Sequence, residues 1–278
     1  MRRARFLAHY LFTRGHTHRY GADRSQLGDL HLPESEGPHR VIVLIHGGSW
    51  RKRYGRRVMR AIAAELVRRG FAVWNIEYRR TGGGGGWPET FADVAAAIDR
   101  LEGLDPSLDL TRVSLLGHSA GGHLALWAAG REGLPPGAPG AFAGRPRVSL
   151  GSVISLAGVC DLTGAYADWH GGAVRELMGG SPERLPERYA VADPLRRVPL
   201  DLPVLLVHGV LDETVSVRLS RRYAEAAAAV GGAVELVEIE GEAGRHRAFI
   251  DPGAPAWSGV IDWLERGGAV REPARSLS

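Results

Sequence analysis

The sequence predicts an α/β protein with a mainly parallel central sheet, helices on both faces and a small cap inserted late in the chain. Three observations carry this. Short β-rich apolar runs alternate with helix-periodic segments along most of the 278 residues, the pattern of strands joined by crossover helices. One of these runs, residues 40–45 (RVIVLI), is continuously apolar after its arginine, as a strand buried on both faces must be. Residues 112–130 (RVSLLGHSAGGHLALWAAG) read as strand, sharp turn and helix, with Ser119 at the tip of the turn.

In chain order, residues 1–21 read as a flexible, non-secretory leader. Their basic start is followed by a short apolar run broken by His9 and Tyr10, with no small-residue cleavage site. Residues 26–32 can form an edge strand closed by Pro33. After the 40–45 strand comes His46-Gly47-Gly48-Ser49-Trp50, then a helix with Met59, Ile62 and Leu66 on one face and Gly70 as its stop. Residues 71–78 (FAVWNIEY) are a strand. Five consecutive glycines, Gly82–Gly86, do not continue into Gly-Lys-Ser/Thr, nor do they form a G-x-G-x-x-G opening a helix, so they predict a flexible loop rather than a phosphate cradle. Lying at a strand's C-terminal end, where open α/β sheets bind ligands, this loop makes Trp87 a candidate pocket wall.

Residues 90–101 stripe Phe91, Val94, Ile98 and Leu101 along a helix that Thr90 and Asp93 open in the manner of a capping box. After the Ser119 stretch, residues 131–147 are a Gly/Pro-rich surface excursion and 152–156 a strand. Residues 163–201 hold weak helical pieces and no strand, long for a connection, and so predict a cap with Trp169 and Tyr189 beneath it. Strands at 204–207 and 234–239 flank a helix that Ser216 caps, striped by Leu219, Tyr223, Ala226 and Val230. A last helix carries Trp257, Val260, Ile261 and Leu264, and 267–278 form a flexible tail. With neither a repeat nor a second core, 1–278 is one domain with a cap.

The chemistry collects at strand ends. Gly117-His118-Ser119-Ala120-Gly121 fits G-x-S-x-G between a strand and a helix, the context that pattern requires. Asp212 follows the 204–207 strand and His246 follows the last one. The order Ser, Asp, His suits nucleophile, orienting acid and base. Asp161 and Glu213 compete for the acid. His208, His118 and His123 compete for the base, though each reads better as a packed neighbour, and His46 reads as a prop for the loop behind it. Backbone N–H groups of Gly47, Gly48 and Ala120 are the candidate donors to a developing oxyanion. Trp50, Trp87 and His118 are candidate substrate contacts.

HGGSW at His46–Trp50, GHSAGGHLAL at Gly117–Leu126, HGVLDETV at His208–Val215 and HRAFIDP at His246–Pro252 together resemble the α/β-hydrolase superfamily. The closest likeness is to its HGG-type serine esterases, the hormone-sensitive-lipase-like and arylformamidase-like branches. The resemblance implies an α/β-hydrolase fold and a cofactor-free serine hydrolase cleaving small carboxylic esters through an acyl-enzyme, with formamide hydrolysis as the alternative. Two positions depart from the pattern: Ser49 stands where many lipases have a third glycine, and Arg247 follows the histidine where an aromatic is common.

Composition narrows the other classes. Formal charge is +4, from 35 Lys plus Arg against 31 Asp plus Glu, with the basic residues scattered, so no nucleic-acid face is expected. No apolar run nears the length of a membrane span. Cys160 is the single cysteine, which excludes an intrachain disulfide and fits a cytoplasmic setting. No H-E-x-x-H or Cys/His cluster calls for a metal. A small-molecule ester or amide is the expected partner; oligomeric state has no signature. A ligand-binding protein on the same scaffold is the reading from another class, and such proteins lose one of the three residues that are all present here.

Overall fold

The computed structural model describes residues 15–168 and 171–270. Among them one sheet contains β1 His16–Arg19, β2 Leu27–His31, β3 His39–Ile45, β4 Ala72–Ile76, β5 Leu108–His118, β6 Leu150–Leu156, β7 Val204–Gly209 and β8 Val234–Ile239, in the order β1-β2-β4-β3-β5-β6-β7-β8. Pairs from β4 across to β8 are parallel, while β2 runs antiparallel to both β1 and β4. The helices are α1 Arg60–Arg68, α2 Glu89–Asp99, α3 Ala120–Ala129, α4 Leu162–Ala167, α5 Gly171–Met178, α6 Pro186–Ala192, α7 Val217–Ala229 and α8 Ala256–Glu265.

Strand periodicity builds two cores. Val41, Val43 and Ile45 of β3 enter one, packed with Phe91 and Val94 of α2, Leu124 and Trp127 of α3, and Leu219 and Tyr223 of α7. Ile42 and Leu44 enter the other, against Ile62 and Leu66 of α1 and Trp257, Val260 and Ile261 of α8. A parallel strand buried on both faces must be apolar at consecutive positions, which is why RVIVLI shows no alternation. This is the α/β-hydrolase fold. Parallel pairing also places the loops after β3, β5, β7 and β8 at one edge of the sheet, and those loops hold residues 46–50, 119, 212 and 246.

Several sequence expectations are corrected. Residues 16–19 pair with β2 although they lie within the stretch read as a flexible leader; HTHR is polar and mostly exposed, and its pairing rests on backbone bonds plus Thr17 Oγ1 donating to Asp29 at 2.7 Å. Residues 1–14, the tail beyond 270 and Trp169 lie outside the described residues. Thr90 and Asp93 form no capping box. The α2 N-cap is Pro88, the Thr90 hydroxyl donates to the Arg79 carbonyl at 2.6 Å, and Asp93 takes the Arg79 guanidinium and Gln26 Nε2. Ser216 caps α7 as expected, but the buried stripe is Leu219, Tyr223 and Ala227, and Val230 is exposed.

The segment after β6 carries three short helices, two of them unmarked by periodicity. Asp161 caps α4 by accepting from Gly164 N at 2.7 Å, and Asp193 accepts from Leu162 N, Thr163 N and Thr163 Oγ1, closing the segment's two ends on one carboxylate. Val174, Leu177 and Tyr189 are buried beneath it. Among the described residues no helix is long and apolar enough to cross a membrane.

Candidate active site

The turn after β5 explains its own glycines. A Cβ at Gly117 would collide with the Gly121 carbonyl, and one at Gly121 with the Ile45 carbonyl, so β5, β3 and α3 converge too closely for side chains there. Ser119 sits between them with φ 55° and ψ −122°, a region L-residues avoid and that persists only where the surroundings impose it. Its N–H donates to Leu156 O at 2.9 Å, which holds the turn against β6.

The loop after β3 is held from behind. His46 Nδ1 donates to Gly47 O at 2.7 Å, its Nε2 meets Glu77 Oε1 at 2.6 Å, and the ring stacks on Tyr78, whose hydroxyl donates to His46 O at 2.9 Å. Burial works to raise the Glu77 carboxyl, but the bond to His46 and the nearby Arg80 hold it below the usual carboxylate range. A Cβ at Gly47 would lie 2.6 Å from the His118 carbonyl and 2.9 Å from Ser119 Cβ, so this loop rests directly on the turn. Gly48, Ser49 and Trp50 all have positive φ. The N–H groups of Gly47, Gly48 and Ala120 have no hydrogen-bond partner among the described residues, and that of Ala120 opens α3 at the positive end of its dipole.

Asp212 is fixed on both oxygens. Oδ1 accepts from Thr214 N at 2.8 Å and Val215 N at 3.0 Å, while Oδ2 accepts from His246 Nδ1 at 2.7 Å and lies 3.5 Å from His208 Nε2. Burial opposes the charge, yet the bonds from His208, His246 and Val215 hold the carboxyl well below the usual carboxylate range. His208 is itself buried, with Nε2 donating to Val215 O at 2.9 Å and Nδ1 accepting from Ser220 Oγ at 2.7 Å. Of the competing acids, Asp161 caps α4 and Glu213 makes no bond to a histidine.

Ser119 and His246 line one cavity of about 240 Å³, together with Gly47, Gly48, Tyr54, Val58, His118, Thr214, Arg247 and Ile250. No direct hydrogen bond links Ser119 Oγ to the His246 ring; such bonds are often long before substrate binds. Ser119 also lines a second recess of about 10 Å³, walled by Ser49, Trp50, Ala120, Val159, Ala165 and Val215. Trp50 is therefore a wall of the recess. Trp87 lines neither space: its backbone N–H is bonded to Leu177 O and its ring meets Phe91 edge-on at 5.2 Å. His118 lines the cavity, but its Nε2 donates to the His246 carbonyl at 3.0 Å, which ties the ring to the histidine loop. The walls Tyr54, Val58, Ile250, Val159 and Ala165 carried no sequence signal, being single apolar residues scattered over short helical turns, loops and α4 with no shared spacing. Among the described residues no three His, Cys, Asp or Glu side chains gather as metal ligands would.

Two buried histidines couple this region to pH. Burial, reinforced by His246, pushes His118 down to about 3, and burial pushes His123, whose Nε2 donates to Ala192 O, down to about 4. Both titrate below their unfolded value of about 6.5, so between those limits the unfolded chain binds more protons. Their contribution is complete above pH 6.5 and is lost as pH falls toward 4 and then 3, by up to about 1.4 kcal/mol per pH unit for each. Urea midpoints are expected to fall steadily from pH 7 to pH 4, and more shallowly in His123→Asn. An identical slope in that variant would remove His123 from the account.

The match to known families decides the lineage. Residues 28–226 match the BD-FAE family. The chain belongs to it. BD-FAE is a carboxylesterase-like family of α/β-hydrolases, and the matched stretch takes in Gly47, Ser119 and Asp212 but ends before His246. Among curated relatives of this BD-FAE chain is the "uncharacterized peptidase YtmA" of Bacillus subtilis (strain 168), 29% identical over 163 residues, 56% of this chain and 58% of YtmA. Among solved structures, esterase B of Lactobacillus rhamnosis superposes with a TM-score of 0.77 at 23% identity, covering 96% of this chain and 90% of that one. Butyrate-bound Est2 of Thermogutta terrifontis, an esterase, superposes with a TM-score of 0.72 at 21% identity, covering 93% and 96%. At such identities the structural likeness speaks to fold.

Proposed function

We propose that the protein is a serine carboxylesterase cleaving small esters through an acyl-enzyme. The observation that carries this reading is the 2.7 Å bond between His246 Nδ1 and Asp212 Oδ2, at the wall of the cavity that Ser119 also lines. Nδ1–H donates to the carboxylate, so Nε2 carries the free lone pair. Ser119 Oγ attacks the ester carbonyl and its proton passes to Nε2, while Asp212 stabilises the imidazolium that results. Charge on the carbonyl oxygen is met by the unpartnered N–H groups of Ala120, Gly47 and Gly48, each such donor typically contributing about 3–4 kcal/mol. Collapse breaks the bond to the alkoxy oxygen, which leaves with the proton from Nε2. Water then repeats the sequence and releases the acid. That esterase B and Est2 are esterases by name supports ester over peptide as substrate.

The recess beside Ser119 sets the acyl group. His246 must protonate the departing oxygen, so the alcohol lies on the His246 side and the acyl chain on the side of Trp50, Val159 and Ala165. A volume of about 10 Å³ is close to what one water-sized group needs, which admits an acetyl methyl and little beyond it. A fluorophosphonate probe is expected to label Ser119, and kcat/KM for p-nitrophenyl esters is expected to fall about tenfold or more from acetate to hexanoate, with Val159→Ala narrowing the gap. Absence of labelling together with absence of turnover, with N-formylkynurenine in the same panel, would favour a binding protein. Preference for hexanoate over acetate would refute the acyl assignment alone.

A further inference from the structure

The cavity on the His246 side of Ser119 is lined by three apolar side chains, Tyr54, Val58 and Ile250, and by Arg247, while no Asp or Glu lines it. Arg247 is exposed and makes no hydrogen bond or ion pair among the described residues. Other arginines around the same edge are committed: Arg245 to Glu242, Arg51 to Glu176 and Arg80 to Glu77. Of the acidic groups of the adjoining segments, Asp212 is held by Thr214 N, Val215 N and His246, Asp251 accepts from Gly253 N, and Glu213 does not line the cavity. Arg53 lies 5.9 Å from the centre of the Tyr54 ring, adding a second positive charge beside this wall.

A largely apolar wall with one uncommitted guanidinium in its lining, Arg247, suits a ligand that is apolar over most of its surface and negative at one point. The guanidinium fork accepts a carboxylate on two parallel N–H donors, a geometry that lysine does not offer. Arg247 immediately follows His246, so it stands on the side of Ser119 from which the alcohol departs. We propose that Arg247 selects esters whose alcohol part carries a carboxylate, seated with its ring or chain on Tyr54, Val58 and Ile250 and its charge on the guanidinium. This rests on the reading of Ser119 and His246 as nucleophile and base, since that reading is what assigns the cavity to the alcohol.

The test compares 4-acetoxybenzoate with its neutral isostere, methyl 4-acetoxybenzoate, in the wild type, Arg247→Gln and Arg247→Glu. The two esters share an acyl group and differ in leaving-group charge; dividing each variant's kcat/KM ratio by the wild-type ratio cancels their intrinsic reactivities. The wild-type preference for the anion is expected to exceed that of Arg247→Gln by about tenfold at low salt, contracting toward about threefold at high salt as screening sets in. Arg247→Glu is expected to fall below Arg247→Gln. Hydrolysis of both esters with one ratio across all three proteins would overturn the role of Arg247 and leave the esterase reading intact. Failure of the wild type to hydrolyse either ester, with no fluorophosphonate label on Ser119, would overturn both.

Discussion

Ser119→Ala is expected to lower kcat/KM for p-nitrophenyl acetate by at least about 10⁴-fold while the protein folds normally. In the proposed mechanism the hydroxyl supplies the atom that becomes bonded to the acyl carbon. Cys160, the single cysteine, is buried, with burial raising its thiol to about 11. Removing the hydroxyl disturbs little else. Ser119 Oγ takes part in no hydrogen bond among the described residues, and the turn is held through its backbone, by Ser119 N to Leu156 O. The check is twofold: turnover and fluorophosphonate labelling should both vanish while the urea midpoint stays near that of the wild type. Turnover within tenfold of the wild type would mean that another residue attacks the ester.

Asp212→Asn is expected to cost about 10⁴-fold in kcat, for a reason visible in how the carboxylate is held. Oδ1 accepts from two backbone amides, Thr214 N and Val215 N. In the asparagine variant only the carbonyl oxygen can occupy that position, which turns the NH₂ toward His246. Nδ1 then becomes the acceptor, the ring's proton moves to Nε2, and the nitrogen needed to receive the Ser119 proton is already occupied. The variant should fold, since the two backbone bonds survive, and it should still bind a substrate analogue. A tenfold or smaller loss would indicate that the orientation of His246 does not depend on this pair. Asp212→Ala removes the acceptor from both amides and should also lower stability, so comparing the two variants separates tautomer control from loop support.

Much of the architecture was legible because strands and helices buried on a defined face must repeat with that face's period. RVIVLI, the α2 stripe and the 234–239 strand are set by local sequence alone. The positions at the sheet edge were legible for a related reason: glycines flank a turn too tight for side chains, and His46, Ser119, Asp212 and His246 each follow a strand. Other features arise only from long-range contact. β1 is polar and pairs through its backbone, so HTHR carried no strand pattern. The ends of α4 and α6 depend on Asp193 reaching back some thirty residues to Leu162 and Thr163, and Thr90, plausible as a cap, is drawn instead to the Arg79 carbonyl. Trp87 stayed open in the sequence because an aromatic after a glycine loop fits a pocket wall and a packing partner equally well; its ring meets Phe91 edge-on and lines neither space beside Ser119. The recess beside Ser119 gathers residues 50, 120, 159, 165 and 215 around one space, a set that no spacing along the chain foreshadows.

The left-handed backbone at Ser119 bears on how this protein can change over generations. A non-glycine residue held there stores about 1–3 kcal/mol that the remainder of the fold must offset, and glycine alone would release most of it. If Ser119 is the nucleophile proposed above, lineages freed from the need to make acyl-enzyme have a single-step route to a sturdier, inert descendant. Keeping a side chain at that position is a standing concession of robustness to reactivity.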